Sequence, residues 1–288
     1  MKKISFVKMS GAGNDFVLFD KKVTPALILS PQGIKKLCAR GTGIGADGVL
    51  VIDDRSGYDF SMEYYNADGS TGTLCGNGAR CALKYAELSG RLSGTGASFI
   101  SNGNSYSGEI LNSGRVRFNL GNPKDLNLDI SIWAAGQMIP ASFIHTGSPH
   151  LVIKADVLRK DPDNPDSAYD NLETLPVVNI GRELRYSDYF APEGTNVNFI
   201  KVSDNKVQIR TYERGVEDET LACGTGSVAS ALICYLKENM RPPISLVTRS
   251  GSELVVDFRI NGNKIDNLSL SGPAEVTFTG EFFSNLYL

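Results

Sequence analysis

Histidine is nearly absent: His145 and His150 are the only two in 288 residues. They are too few and too close together for a three-histidine zinc site, so a resident metal is not expected. An excess of positive charge is also lacking. Twenty-nine Lys and Arg against 32 Asp and Glu leave a net charge of −3, too little to neutralise a phosphate backbone, so neither nucleic acid nor an anionic membrane is an expected partner. The longest unbroken apolar run, Ala231 to Leu236, falls far short of the ~20 residues that span a bilayer. The segment Met1 to Phe6 lacks the apolar stretch and small-residue cleavage site of a signal peptide. Five cysteines, an odd number without a clustered framework, suit a reducing compartment, and a cytoplasmic location is expected. Missing as well are the Walker-type G-x-x-x-x-G-K-[ST], H-E-x-x-H and G-x-S-x-G motifs. Gly43 to Gly48 spells G-x-G-x-x-G, but it follows a helix and precedes a strand, the reverse of a dinucleotide site, and reads as a turn.

What is present is an ordinary globular composition, 41% hydrophobic and 21% charged, at a length that favours two domains. Thirty glycines separate short β-branched and aromatic runs, the texture of many strands joined by tight turns. Gly48–Asp53, Asp59–Tyr65, Val197–Val202 and Val207–Tyr212 are examples. Ser30 to Gly41 carries a Ser cap, Pro at the first helical position and Gly past the end, and reads as one helix.

Two further helices begin alike. One follows Cys75-Gly76-Asn77-Gly78 and runs to about Leu88; the other follows Cys223-Gly224-Thr225-Gly226 and runs to about Leu236. A single C-G-x-G is weak evidence, but the cysteines stand about half a chain apart, 148 residues, and acidic turns after β-rich strands precede both. That pattern indicates an internal repeat. The second helix is apolar on nearly every face and is therefore expected to be surrounded by protein. The expected fold is α/β (α+β): two pseudo-symmetric domains, each a β-barrel-like, mostly antiparallel sheet around a central helix. The boundary is expected near 124/125, in the loop Gly121 to Asp125.

A helix start offers unpaired N–H groups and partial positive charge, so it binds carboxylates and lowers the pKa of a nearby thiol. If the two halves face each other, a substrate carboxylate sits between the helix starts with one sulfur on each face of its α-carbon. A thiolate removing the α-proton and a thiol returning one would invert that centre. A disulfide or a metal between the two cysteines is the alternative, and neither accounts for the glycines or the helix starts. Cys38, Cys81 and Cys234 read as small buried hydrophobes.

Lys8 to Phe16, Tyr65 to Gly69, Cys75 to Cys81, Gly147 to His150, Gly194 to Phe199, and Tyr212 to Gly215 continuing to Cys223–Gly226 together resemble the diaminopimelate epimerases. These are cofactor-independent amino-acid epimerases, and the six motifs stand in family order over nearly the whole chain. The resemblance implies an isomerase that interconverts LL- and meso-diaminopimelate in lysine and peptidoglycan-precursor synthesis, without cofactor. It implies that a C-terminal strand, 275–288, returns to the first domain, leaving 125–274 as the second.

By the same resemblance, Cys75 and Cys223 match the acid/base pair, and Gly76, Asn77, Gly224 and Thr225 match the carboxylate cradle. Asn14 and Glu213 match groups near the reacting amine. Asn66, Asn196 and Arg214 match groups at the distal end, where an Arg fork suits a carboxylate. His150 and Glu213 match positions that tune the cysteines. Ser148 departs from an expected Asn, and Gly48 from a Gln found in some relatives, so looser substrate selectivity is expected. A small-molecule substrate is the expected partner, and a homodimer the assembly entertained. A related proline, hydroxyproline or glutamate racemase is the nearest rival, and a non-catalytic amino-acid-binding protein the more distant one.

Overall fold

In the computed structural model, residues 3–25, 27–72, 74–203, 205–262 and 264–283 are described. The chain divides into two units, Met1–Asn119 with Ser271–Leu288, and Leu120–Leu270. Both divisions fall a few residues before the expected 124/125 and 274/275. At the first, the Leu120 N–H already bonds the Leu268 carbonyl of the second unit.

The first unit runs β1 (Lys3–Gly11), β2 (Asn14–Asp20), α1 (Pro31–Cys38), β3 (Gly48–Asp53), β4 (Phe60–Asn66), α2 (Gly76–Leu88), β5 (Gly96–Ser101), β6 (Asn104–Ile110) and β7 (Val116–Asn119). A two-residue turn joins β1 to β2, with positive φ at Ala12 (63°) and Gly13 (93°). Such a turn matches strand twist and fixes the Gly11↔Asn14 register. Antiparallel ladders link β1–β2, β3–β4, β5–β6 and β6–β7, whereas β2–β3 and β4–β5 are parallel. Parallel neighbours need a crossover connection, and α1 and α2 lie on those two crossovers. Ser30 caps α1 by accepting the Gly33 N–H at 3.0 Å, and Pro31 opens it, as its sequence predicts.

The second unit runs β8 (Lys124–Ala134), β9 (Gln137–His145), β10 (Pro149–Lys154), α3 (Val177–Arg185), β11 (Asn196–Ser203), β12 (Lys206–Glu213), β13 (Asp218–Thr220), α4 (Gly224–Glu238), β14 (Ile244–Val247), β15 (Glu253–Asn261) and β16 (Lys264–Gly272). Its pairing repeats the first unit's. β9–β10 is antiparallel, β10–β11 parallel across α3, β11–β12 antiparallel, β12–β14 parallel across α4, and β14–β15 antiparallel. Finally β17 (Glu275–Phe283) pairs antiparallel with β1, as β8 does with β9. Residues 284–288 of the expected returning strand lie outside the described residues.

In each unit the central strands carry helices on both faces, which is why they are buried almost without interruption. Val17, Phe19, Val49 and Val51 pack with Ile34 and Leu37 of α1. Val197 and Phe199 pack with Val177, Ile180 and Leu184 of α3. Their alternate neighbours face the other helix: a Cβ on Gly78 of α2 would meet Leu50 and Phe16, and one on Gly226 of α4 would meet Asn198. Helix α4 is buried from Gly226 through Cys234, as expected, but Leu236 near its end is 41% exposed.

Candidate active site

Each C-G-x-G turn places its cysteine at the N-cap of a buried helix, Cys75 on α2 and Cys223 on α4. The side chains around the two sulfurs differ, and each set lies within its own unit. None of the five cysteines is disulfide-bonded.

Around Cys75, the β1–β2 turn sets the position of Asn14. The Cys75 thiol donates to Asn14 Oδ1 at 3.5 Å, and Asn77 Nδ2 donates to the same oxygen at 3.5 Å. Asn14 Nδ2 donates to Asp47 Oδ2 at 2.6 Å. On the other side, Arg80 Nη2 donates to Asn77 Oδ1 at 2.8 Å. An arginine only donates and a carboxylate only accepts, so the two ends of this chain fix the orientation of both amides. Asn14 therefore presents an oxygen, not an N–H, to Cys75. Asp47 belongs to a polar cluster with Asp15, Arg40 and Lys8: Arg40 bonds Asp15 and Asp47, each at 2.7 Å, and buried Lys8 pairs with Asp15 at 2.7 Å. Hydrogen bonds and positive charge from Arg40 and Lys8 outweigh desolvation and hold the Asp15 carboxyl below its usual range.

Around Cys223, the sulfur accepts the Gly226 N–H at 3.4 Å and lies 3.6 Å from Thr225 Oγ1. Thr225 Oγ1 lies 2.9 Å from His150 Nε2 and 3.2 Å from Ser148 Oγ. Parallel pairing puts His150 opposite Asn196 on β11. Asn198, two residues along on the same face, donates to the Leu151 carbonyl at 2.9 Å and to His150 Nδ1 at 3.1 Å, while its Oδ1 accepts from Thr211 at 3.0 Å. The carbonyl identifies Asn198 Nδ2 as the donor. His150 Nδ1 is then an acceptor and Nε2 carries the proton toward Thr225 and Ser148. Burial lowers the His150 pKa to about 3, helped by the positive charge of Arg214, so the ring is neutral at physiological pH. His150 thus reaches Cys223 through the Thr225 hydroxyl, not directly.

The remaining predicted residues are placed as follows. Gly76 and Gly224 open the two helices and are buried. Asn66 closes β4 opposite Gly48, and its side chain donates to Ser70 Oγ at 3.0 Å. Gly48 has no room for a side chain: a Cβ there would sit 2.6 Å from the Tyr65 carbonyl and 2.8 Å from the Tyr64 ring. Asn196 is buried, donates to the Pro149 carbonyl at 2.8 Å and accepts the Arg214 N–H at 2.9 Å. Glu213 accepts from Thr220 at 2.8 Å. The Arg214 guanidinium reaches the Glu193 carbonyl at 3.4 Å, and no carboxylate pairs with it among the described residues.

Sequence reasoning missed Asp47, Asn198 and Arg80. Asp47 hid in a glycine-rich turn read only as a turn. Asn198 stands two residues from Asn196, and two amides on one face of an otherwise apolar strand are a legible signal. Among the described residues no group of three or more His, Cys, Asp or Glu side chains is placed to hold a metal ion, and no helix is long and apolar enough to cross a membrane.

The model of the family described as diaminopimelate epimerase matches residues 6–125 and 142–277. The chain is 37% identical over 277 residues to a diaminopimelate epimerase of Chlorobaculum tepidum, covering 94% of this chain and 98% of that one. It is 35% identical over 289 residues to that of Aquifex aeolicus, covering 96% and 97%. Among solved structures, a probable proline racemase from Agrobacterium radiobacter with bound carbonate superposes with a TM-score of 0.70 at 12% identity, over 98% of this chain and 93% of that one. A phenazine biosynthesis protein of Bacillus anthracis does so at 0.69 and 12%, over 98% and 100%. At such identities these last two speak for the fold alone.

Proposed function

The chain belongs to the diaminopimelate epimerase family, and from that premise we propose that Cys75 and Cys223 are the two acid/base groups of an isomerase that interconverts LL- and meso-diaminopimelate. The observation that carries this reading is that both cysteines cap buried helices, so each sulfur adjoins a helix start whose N–H groups and partial positive charge suit a carboxylate. In one direction a thiolate takes the α-proton and the opposing thiol supplies a proton to the other face. Electron density left on the α-carbon spreads into the carboxylate held by N–H groups at Gly76–Asn77 and Gly224–Thr225. Turnover leaves the two sulfurs with exchanged protonation, and the reverse reaction uses them in exchanged roles.

In this proposal Asn14 and Glu213 meet the reacting amine, His150 and Glu213 tune the sulfurs, and Asn66, Asn196 and Arg214 hold the distal end. Arg214, with no carboxylate of its own among the described residues, favours a substrate with a second carboxylate over proline. Small-molecule substrate chemistry, a cytoplasmic location and a homodimer complete the proposal; light scattering on the purified chain tests the last.

The deciding experiment follows α-proton exchange by NMR in deuterated buffer, with LL-diaminopimelate, proline and glutamate offered separately under reducing conditions. Exchange and epimerisation of diaminopimelate alone, reduced by roughly 10²-fold or more in Cys75→Ala and in Cys223→Ala, is the expected result. Exchange on proline or glutamate instead would move the activity to a sister racemase.

A further inference from the structure

Arg80 is fully buried one turn into α2, and among the described residues its guanidinium bonds to uncharged oxygens: the Gly76 carbonyl at 3.3 Å, Asn77 Oδ1 at 2.8 Å and the Pro273 carbonyl at 3.5 Å. No carboxylate offsets its charge among the described residues. Burying a cation in this way is costly, and removal from water normally selects for a neutral group or an ion pair. Burial does pull its pKa down, to about 10, which leaves it charged at neutral pH.

Two sulfurs favour that charged form, Cys75 and Cys81, and the coupling is reciprocal: the cation favours a thiolate at each. Cys81 is not the one that ionises, because burial pushes its thiol up to about 12. Of the other charged groups around this turn, Arg115 opposes Arg80's charge, and Asp47 is reached only through Asn14. The Asn14 oxygen pulls Cys75 the other way, since it accepts from a thiol and repels a thiolate. The position matched to Arg80 in the repeat is Val228, which is buried and apolar. There the sulfur instead accepts the Gly226 N–H.

We propose that Arg80 is the counter-charge of the Cys75 thiolate, a positioning residue that also holds the Asn77 amide, whose Nδ2 in turn bonds the Asn14 oxygen facing that sulfur. This rests on reading Cys75 as an acid/base group. A residue that must be thiol in one direction and thiolate in the other needs the two forms close in free energy. Arg80 supplies the pull that balances Asn14.

The test is the pH dependence of iodoacetamide alkylation at Cys75, read in a Cys223→Ala background by peptide mass spectrometry, which resolves its alkylation from that of Cys38, Cys81 and Cys234. Arg80→Met and Arg80→Gln are expected to raise the Cys75 midpoint by about one pH unit, a tenfold lower alkylation rate near neutral pH. Arg80→Lys, which keeps the charge, should stay within a few tenths of a unit of its parent. The Cys223 midpoint, read in a Cys75→Ala background, should not move. A folded neutral variant that titrates like its parent would overturn the proposal. So would a Lys variant shifted by a full unit, and that arm decides alone if neither neutral variant folds. Failure here with epimerisation still dependent on Cys75 defeats only the role of Arg80, whereas epimerisation surviving in Cys75→Ala defeats the reading beneath it.

Discussion

Position by position, the turn beginning at Cys75 and the turn beginning at Cys223 share the cysteine and both glycines, whereas Asn77 and Arg80 stand against Thr225 and Val228. The shared residues build the helix start. The differing ones decide how each sulfur is held. In the first unit the surroundings are ionic, with a buried guanidinium at one end of an amide chain and a carboxylate at the other. In the second the hydrogen bonds traced outward from the sulfur run through neutral groups, the Thr225 and Ser148 hydroxyls, an uncharged His150 and the Asn198 amide. A repeat can therefore keep one backbone device in both halves while each half solves the electrostatics with its own side chains. A two-base reaction keeps one sulfur as thiol and the other as thiolate and exchanges them on turnover, so each set of surroundings has to accommodate both forms by its own means.

The comparison can be broken most forcefully at the matched glycines. A Cβ on Gly226 would lie 2.3 Å from Asn198 Oδ1, an atom fixed by its bond to Thr211, whereas a Cβ on Gly78 would meet the end of Leu50 at 3.2 Å. Gly226→Ala is expected to cost about 2–3 kcal/mol by overpacking. Gly78→Ala should stay within about 1 kcal/mol, because a leucine methyl yields and alanine favours the helix. Urea unfolding of both variants decides it, and equal losses would mean that the two helix starts are packed alike after all.

A second contrast is acid sensitivity. Both histidines belong to the second unit, and His150 has a folded pKa of about 3 against an ordinary 6.5. Above 6.5 the ring is neutral folded or unfolded and adds no pH dependence. As pH falls below 6.5 the unfolded chain binds the proton and the folded one does not, so stability is lost progressively toward pH 3. Between pH 7.5 and pH 5 this group should remove about 2 kcal/mol, and a His150→Gln variant should lack that component. Identical pH slopes for parent and variant would show that His150 is not held neutral.

How much of this was legible beforehand follows from what each feature depends on. Helices α1, α2 and α4 carry local punctuation, a Ser-Pro start or a C-G-x-G turn, and were readable. Helix α3 has none: Pro176 stands at its cap without a side-chain bond, and Gly181, a weak helix former, sits in its middle because a Cβ there would lie 2.5 Å from Tyr212. Yet shifting Pro31–Cys38 by the 148-residue repeat lands on 179–186, and α3 occupies Val177–Arg185, so the repeat held information that local signals lacked. The cysteines were legible because they recur. Arg80 was not, since a charged residue on a helix ordinarily faces water, and only the packing of α2 within its unit reveals that this one does not. Gly48 shows the same limit, because what leaves no room for a side chain there is the Tyr65 carbonyl and the Tyr64 ring, brought over it by strand pairing.

The smallest expected effect sharpens the contrast between one strong charge and several weak donors. Thr225→Val keeps the shape of the side chain but removes a hydroxyl 3.6 Å from the Cys223 sulfur, a long contact whose loss should raise the alkylation midpoint of Cys223 by no more than about half a pH unit. The Gly226 N–H remains at 3.4 Å, and the His150 Nε2 proton keeps Ser148 Oγ as an acceptor at 2.9 Å, so neither the sulfur nor the imidazole is stranded. A shift of a full unit would make Thr225 the equal of a buried cation and would erase the distinction between the halves. A shift of a few tenths, with Cys75 unmoved, is what a sulfur held by distributed neutral donors should show.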